Sequence, residues 1–365
     1  MYIKNISLKN FRNYVDEKAE FQNEINIFQG KNAQGKTNLL EAIYFLSCAK
    51  SFRTNKEDEM ILKTSDFSSI SLCYNKNQLD SLVEIKLRKG LGKNIAVDKN
   101  QIKRISDLFG RLICVIFVPD ELKMIKDAPS YRRKFMDIEI AKIRPKYLED
   151  LKEYETSLKN KNALLKSNMN KEKLFTLIDI FNKKIAAAAK SIVASRAYFI
   201  SLLNERILLT HEEISEKKEK LFINYKKCVN DIKNTEEELY LKMTKEYNKE
   251  ACAGYSLFGP HREDIEFLIN GENAVSFGSQ GQQRSIILSV KIAIADIIYE
   301  KTNEKPVLLL DDVFSELDSY RLKALLSVVK KYQTFITTTS KIPENIDKNN
   351  ISFFNISSGK IKKAL

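Results

Sequence analysis

The sequence predicts an α/β fold in which a mixed sheet is interrupted by a long helical insertion. Three observations predict it. A glycine-rich stretch, Gly30-Lys31-Asn32-Ala33-Gln34-Gly35-Lys36-Thr37, lies between an apolar-alternating run at Ile25–Phe28 and a helical run from Asn38 to Leu46. A solid apolar run, Val307–Leu310, ends in Asp311-Asp312 far down the chain. Between them, from Lys123 to about Glu250, glycine becomes scarce and apolar residues recur at helical spacing, as in Leu174, Ile178, Phe181, Ile185 and Ile192.

The first stretch reads G-x-x-x-x-G-K-T in the strand–loop–helix context that a phosphate loop requires. Its glycines let backbone N–H groups curl around phosphate oxygens, and the following helix points its positive end at the same anion. Lys36 neutralises β- and γ-phosphates in this reading, and the Thr37 hydroxyl ligates Mg²⁺. Residues 30–38, with Asn38 opening the helix, are the candidate ATP contacts.

Composition sets the bounds. A chain of 365 residues accommodates two or three domains, or one domain with a large insertion. Lys and Arg number 61 against 48 Asp and Glu, a formal charge of +13 that favours polyanionic partners. The five cysteines form no C-x-x-C pair, as expected of reduced cytoplasmic thiols. The start lacks a signal-peptide apolar core, and no stretch approaches the ~20 apolar residues of a membrane helix, so no membrane partner is expected. With only His211 and His261, a histidine metal site or a Ser-His-Asp triad is excluded from the leading readings.

In chain order, residues 2–29 read as short strands carrying Ile3, Ile6, Leu8, Phe21, Ile25 and Ile27, with a turn at Asn10–Tyr14. The phosphate-loop helix runs to about Cys48, and Arg53 places a positive charge after its end. Residues 68–98 alternate apolar and polar with Asn and Gly breaks, the pattern of antiparallel strands. Leu112–Val118 reads as a strand buried on both faces. After the insertion, alternation returns at Ile265, Phe267 and Ile269, with Asn270-Gly271 as a hairpin signal. A helix follows from about Gln282 to Glu300, then Val307–Asp312, a helix at Leu322–Lys330, a strand at Thr334–Thr338, and short strands near Phe353 and Ile356.

Asp311 fits the carboxylate that holds Mg²⁺ opposite a phosphate loop. Asp312, one residue later, sits where a base can orient or deprotonate the attacking water. Thr337-Thr338-Thr339 ends the next strand near where a polar residue senses the γ-phosphate, and Thr339 is the candidate contact. Ser279, Gly281 and Gln282 open a helix and offer a second anion-ready N-terminus. That stretch resembles the signature motif of ATP-binding-cassette heads, in which the signature of one subunit completes the ATP site of the other.

Taken together, the chain resembles the RecF family of bacterial recombination-repair ATPases. The resemblance is carried by Leu8-Lys9-Asn10-Phe11-Arg12-Asn13-Tyr14, the phosphate loop with its helix, Ser51-Phe52-Arg53-Thr54, Val118-Pro119-Asp120-Glu121-Leu122, residues 129–137, Gly259-Pro260-His261-Arg262-Glu263-Asp264, Gly278–Arg284 and Leu309–Asp318. They run in family order from end to end. The resemblance implies an ATP-binding-cassette-like P-loop head with an inserted helical lobe, ATP-dependent homodimerisation on DNA, and weak ATP hydrolysis. It also implies work with RecO and RecR in placing RecA at gaps. It adds Arg12 and Asp318 to the candidate nucleotide contacts. Ala33 stands where relatives of this head often have glycine, and Glu263 where the family tends to have Asp. No glutamine is evident to complete the Mg²⁺ shell.

The expected domains are 1–122 (head, N-terminal part), 123–250 (helical lobe) and 251–365 (head, C-terminal part). Lys123–Arg196 holds 18 Lys and Arg against 9 Asp and Glu, so DNA contacts are sought there. The candidates are Arg132, Arg133, Lys134, Lys183 and Lys184, for duplex and single-strand/duplex junctions read with little sequence preference. A transporter's cytosolic ATPase subunit is the first alternative, but such subunits set the two nucleotide motifs closer together. A chromosome-tether ATPase is the second, and the insertion is too short for its long arms. A small-molecule kinase leaves Ser279–Gln283 and Asp311–Asp318 unexplained.

Overall fold

The structure is a computed structural model that describes residues 1–167, 169–215, 218–316, 319–339 and 351–364. The chain begins with β1 (Tyr2–Phe11), β2 (Tyr14–Glu20), β3 (Ile25–Gln29), α1 (Lys36–Cys48), β4 (Phe67–Lys76), β5 (Leu79–Arg88), β6 (Gly92–Val97), β7 (Asn100–Gln101) and β8 (Cys114–Phe117). It continues through α2 (Lys123–Lys126), α3 (Pro129–Ile143), α4 (Tyr147–Leu165), α5 (Lys171–Ile214), β9 (Leu221–Lys226), α6 (Thr235–Lys245), α7 (Tyr247–Ala253), β10 (Asp264–Ile269) and β11 (Glu272–Asn273). It closes with α8 (Gln280–Thr302), β12 (Val307–Leu310), α9 (Val313–Glu316), α10 (Ser319–Val329), β13 (Thr334–Thr338), β14 (Ile351–Ser357) and β15 (Lys360–Lys363).

Two compact units result. The first holds 1–122, 206–220 and 279–365; the second holds 123–205 and 221–278. In the first, a six-stranded sheet has the order β15-β14-β3-β13-β12-β8. β3 runs parallel to both β13 and β14, and β12 runs parallel to both β13 and β8. β8 and β12 are buried at every position, as their unbroken apolar sequences require. A separate antiparallel sheet, β2-β1-β4-β5-β6-β7, alternates buried and open residues. α1 packs against strands of both sheets, which is why Leu39, Leu40, Ala42, Ile43, Phe45 and Leu46 are all buried. Phe21, Phe28, Phe335 and Phe354 form one aromatic cluster on this mixed sheet. Burying each ring contributes about 1.5–3 kcal/mol.

The second unit ends at 278, not at 250 as the sequence texture suggested, and 206–220 joins the first unit. The reason is a three-stranded sheet, β11-β10-β9, in which β10 pairs with β9 from the insertion. Composition changes before the structural unit does. The expectation that no stretch is long and apolar enough to cross a membrane also needs correction: Glu172–Ile214, within α5, meets that test by length and composition. α5 is divided between the units, 171–205 in the second and 206–214 in the first. Ile185, Ala186, Ala189 and Ile192 are buried, while Lys183, Lys184 and Lys190 are exposed. Within the same helix the Arg196 guanidinium is buried and paired with Asp137 and Glu263, an arrangement of a protein core. Glu263 is fully buried and also accepts from the Tyr225 hydroxyl and the Cys228 N–H.

Candidate nucleotide site

The phosphate loop connects β3 to α1 and is fastened from outside. The Asn13 amide donates to the Gln34 carbonyl at 2.9 Å, as does the Gly359 N–H at 3.0 Å, and the Tyr14 hydroxyl donates to the Gly35 carbonyl at 2.9 Å. Gly35 has φ of 120°, and a Cβ there would lie 2.9 Å from the Tyr14 hydroxyl. Ala33 also lies in the left-handed region, with φ of 63°, a conformation that glycine adopts without strain. An alanine in this conformation costs roughly 1–2 kcal/mol.

Beside the loop is a cleft of about 300 Å³ lined by Asn32, Ala33, Gly35, Lys36, Thr37, Asn38, Arg53, Asp311, Asp312, Thr337 and Thr339. Lys36 Nζ donates to the Gly30 and Lys31 carbonyls, each at 2.8 Å. Burial lowers the Lys36 pKa, against the pull of Asp312 and Asp311. The Thr37 hydroxyl reaches both Asp311 oxygens at 2.9 and 3.0 Å, joining two elements 274 residues apart in sequence. Thr337 donates to Asp311 Oδ1 at 2.6 Å and accepts from the Asp312 N–H at 3.0 Å. Asp312 has φ of 50°, and its carboxylate accepts from the Thr339 N–H at 3.4 Å. Burial raises the Asp311 pKa, while hydrogen bonds from Thr337 and Thr37 oppose it.

The cleft thus sets an ammonium at the phosphate loop against two carboxylates, a set suited to a polyphosphate with a divalent cation. Among the described residues no cluster of three or more His, Cys, Asp or Glu side chains could hold a metal ion. Thr37 and Asp311 nevertheless meet at one point, and a cation there would take its other ligands from phosphate oxygens and water, as Mg²⁺ characteristically does.

Other candidates fall elsewhere. Gln34 braces the loop rather than lining the cleft, its side-chain oxygen accepting from the Ser358 N–H. Arg12 does not line the cleft. Its guanidinium is bidentate to the fully buried Glu41, at 2.8 and 2.6 Å, so it braces α1 from outside. Glu41 also accepts from Ser51, and Asn38 accepts from Arg53 at 2.6 Å. Arg53 and Thr337 line the cleft, yet the sequence offered them only as a helix-end charge and a strand-end threonine. Ser279, Gly281 and Gln282 do not line the cleft of their own chain. They start α8 with a capping box, in which the Ser279 oxygen accepts from the Gln282 N–H and the Gln282 oxygen accepts from the Ser279 N–H. Asp318 lies outside the described residues.

With this geometry in hand, comparison with known proteins gives a consistent result. Residues 2–359 match the family model described as the RecF/RecN/SMC N terminal domain. The DNA replication and repair protein RecF of Clostridium acetobutylicum is 40% identical over 364 residues, covering 99% of both chains. The chain belongs to the RecF family. Its counterpart in Lactobacillus johnsonii is 43% identical over 348 residues, covering 93% of this chain and 92% of that one. A solved structure of the recombination mediator protein RecF with ATP, from the RecFOR pathway, superposes with a TM-score of 0.91 at 35% identity, covering 100% of this chain and 98% of that one. An Smc head bound to the C-winged helix domain of ScpA shares the fold alone, with a TM-score of 0.57 at 14% identity over 100% and 97% of the two chains.

The proposed DNA contacts divide sharply. Arg132 is buried, bidentate to Asp264 at 2.6 and 2.9 Å, and donates to the Asp127 carbonyl at 2.7 Å. Arg133 is half-buried and donates to the Glu263 carbonyl. These arginines tie the start of α3 to β10 and have little left to offer a phosphate. Lys134, Lys183 and Lys184 are exposed; Lys183 pairs with Asp179 and Lys184 lies over the Phe181 ring.

Proposed function

We propose that this RecF-family chain is an ATP-driven switch on DNA in recombinational repair and replication. It binds ATP with Mg²⁺, dimerises around the nucleotide, and hydrolyses it slowly to release the dimer. The observation that carries this reading is the convergence of Lys36, Thr37, Asp311, Thr337 and Asp312 on one cleft. Lys36 holds the phosphate charge, and Thr37 and Asp311 are the residues that would hold Mg²⁺. Bound Mg²⁺ supplies further neutralisation of the phosphate oxygens. Asp312, in its left-handed backbone, aims its carboxylate into the cleft to orient the attacking water. Its side chain is one methylene shorter than glutamate, in keeping with slow turnover.

The capped start of α8 supports a composite site. Its helix dipole favours an anion, and the phosphate loop already provides one helix end within the subunit. In a two-fold dimer each Ser279–Gln282 segment meets the partner's γ-phosphate. DNA is held through exposed lysines of the second unit, Lys134, Lys183 and Lys184, with low sequence preference, on duplex and on single-strand/duplex junctions. RecR and RecO are its partners by family, in the cytoplasm. The test is light scattering and DNA binding with ATP, ADP and no nucleotide. Dimerisation and tight DNA binding with ATP alone are expected; nucleotide-independent behaviour in both refutes the switch.

A further inference from the structure

The capping box of α8 is held by a second set of residues. Gln282 Nε2 donates to Glu219 Oε1 at 3.0 Å. The other Glu219 oxygen lies 3.1 Å from His211 Nε2, and His211 Nδ1 lies 2.9 Å from the Ser289 hydroxyl. Ser289 is itself on α8, about two turns beyond Gln282. The hydrogen bonds therefore leave α8 at Gln282, pass through Glu219 and His211, and return to α8 at Ser289. His211 is fully buried at the end of α5, and all these residues belong to the first unit.

In the neutral ring, either His211 Nε2–H donates to Glu219 while Nδ1 accepts from the Ser289 hydroxyl, or Nδ1–H donates to Ser289, whose own proton goes to the Ser285 carbonyl at 2.8 Å. Burial lowers the His211 pKa against the pull of Glu219, with Arg321 adding to the lowering. A serine alone can cap a helix. A Gln282 amide facing water could turn over and point its NH₂ at the Ser279 N–H. With Glu219 accepting from Nε2, the flipped amide would set its oxygen against a carboxylate and its NH₂ against an N–H. Glu219 thus fixes which way the Gln282 amide faces.

We infer that Glu219, backed by His211, is a positioning residue for the composite ATP site, setting the shape that the Ser279–Gln282 segment presents to a partner subunit's nucleotide. This rests on the composite site proposed above. The purely structural alternative is that the pair only anchors the end of α5.

Rescue separates the two. In Glu219→Gln the new side chain accepts from Gln282 through its oxygen and, with the ring proton on Nδ1, donates to His211 Nε2 through its amide, so the orientation survives. In Glu219→Ala it does not. Wild type and both variants are compared by light scattering with ATPγS, and by binding of a fluorescent ATP analogue. Glu219→Ala is expected to bind the analogue like wild type and to dimerise about tenfold more weakly, the loss of one charge-assisted hydrogen bond. Glu219→Gln is expected within about threefold of wild type, on the same scale. Unchanged dimerisation of Glu219→Ala overturns the inference. So does loss of analogue binding by Glu219→Ala, which would mean the pair supports the fold of the head, and so does a Glu219→Gln variant as weak as Glu219→Ala. If wild type itself stays monomeric with ATPγS, the composite site fails, and the inference fails with it.

Discussion

Replacing Thr337 by valine removes one hydroxyl from the centre of the site while keeping the side chain's shape. Thr337 is fully buried; it donates to Asp311 at 2.6 Å and accepts from the Asp312 N–H at 3.0 Å. Losing a hydrogen bond to a carboxylate costs about 1.5–3 kcal/mol, and the orphaned Asp312 N–H adds to that. The variant has two consequences. Burial already raises the Asp311 pKa and the Thr337 hydrogen bond opposes the rise, so the valine variant raises it further and weakens the hold on a cation. Asp312 also loses one of the bonds that secure its left-handed backbone. If about 2 kcal/mol of this appears at the transition state, hydrolysis falls roughly thirtyfold. The assay is steady-state phosphate release against Mg²⁺ concentration, with nucleotide affinity measured separately by fluorescence. Affinity is expected to hold, the Mg²⁺ requirement to rise, and Thr337→Ser to restore both. A valine variant with the wild-type rate and Mg²⁺ dependence refutes the reasoning.

Lys36→Met is expected to lose nucleotide affinity, whereas Asp312→Asn keeps affinity and loses nearly all hydrolysis; equilibrium binding and phosphate release distinguish them. Arg132→Ala leaves Asp264 without its bidentate partner and is expected to destabilise the second unit by about 3–5 kcal/mol, read as a lower denaturation midpoint. Joint reversal of Lys134 and Lys184 to Glu is expected to weaken duplex binding at moderate salt and to flatten the salt dependence by about one log–log unit per lost phosphate contact, with the denaturation midpoint unchanged. His261 donates to the Ser256 carbonyl and accepts from the Tyr154 hydroxyl, and burial above all lowers its pKa to about 4. Below about pH 6.5 the unfolded chain binds a proton here that the folded chain does not, so stability falls as pH drops towards 4. Thermal midpoints of His261→Asn should be flatter than wild type across that window.

The phosphate loop and the paired aspartates were legible because their chemistry requires fixed residues at fixed spacing beside strands whose apolar runs are unmistakable. Val307–Leu310 and Cys114–Phe117 could be read as fully buried strands for the same reason. Whether a basic side chain of the insertion faces the core or solvent was not legible. Arg132-Arg133-Lys134 reads as one basic patch, yet rotation of about 100° per residue sends its first member into the core and its last into water. Arg12 and Glu41 likewise find each other only through the tertiary fold. The boundary at 278 was hidden because a β-hairpin next to glycine-rich sequence resembles the return of the head.

The central position of β3 governs when the site comes into being. A chain emerges from the ribosome N-terminus first, and the phosphate loop is among the earliest segments made. Yet β3 is flanked by β13 and β14, strands formed from residues 334–338 and 351–357. Until those residues are synthesised, nothing pairs with either edge of β3, and Asp311 has no Thr337. The second unit, complete by residue 278, has its whole sequence available earlier. A polypeptide interrupted by stalling or a nonsense codon before residue 334 therefore carries the lysines proposed to hold DNA but has no sheet to hold its nucleotide loop. It also displays unpaired apolar strand edges, which mark it for proteolysis. In this topology, competence to fire is the last property the growing polypeptide acquires.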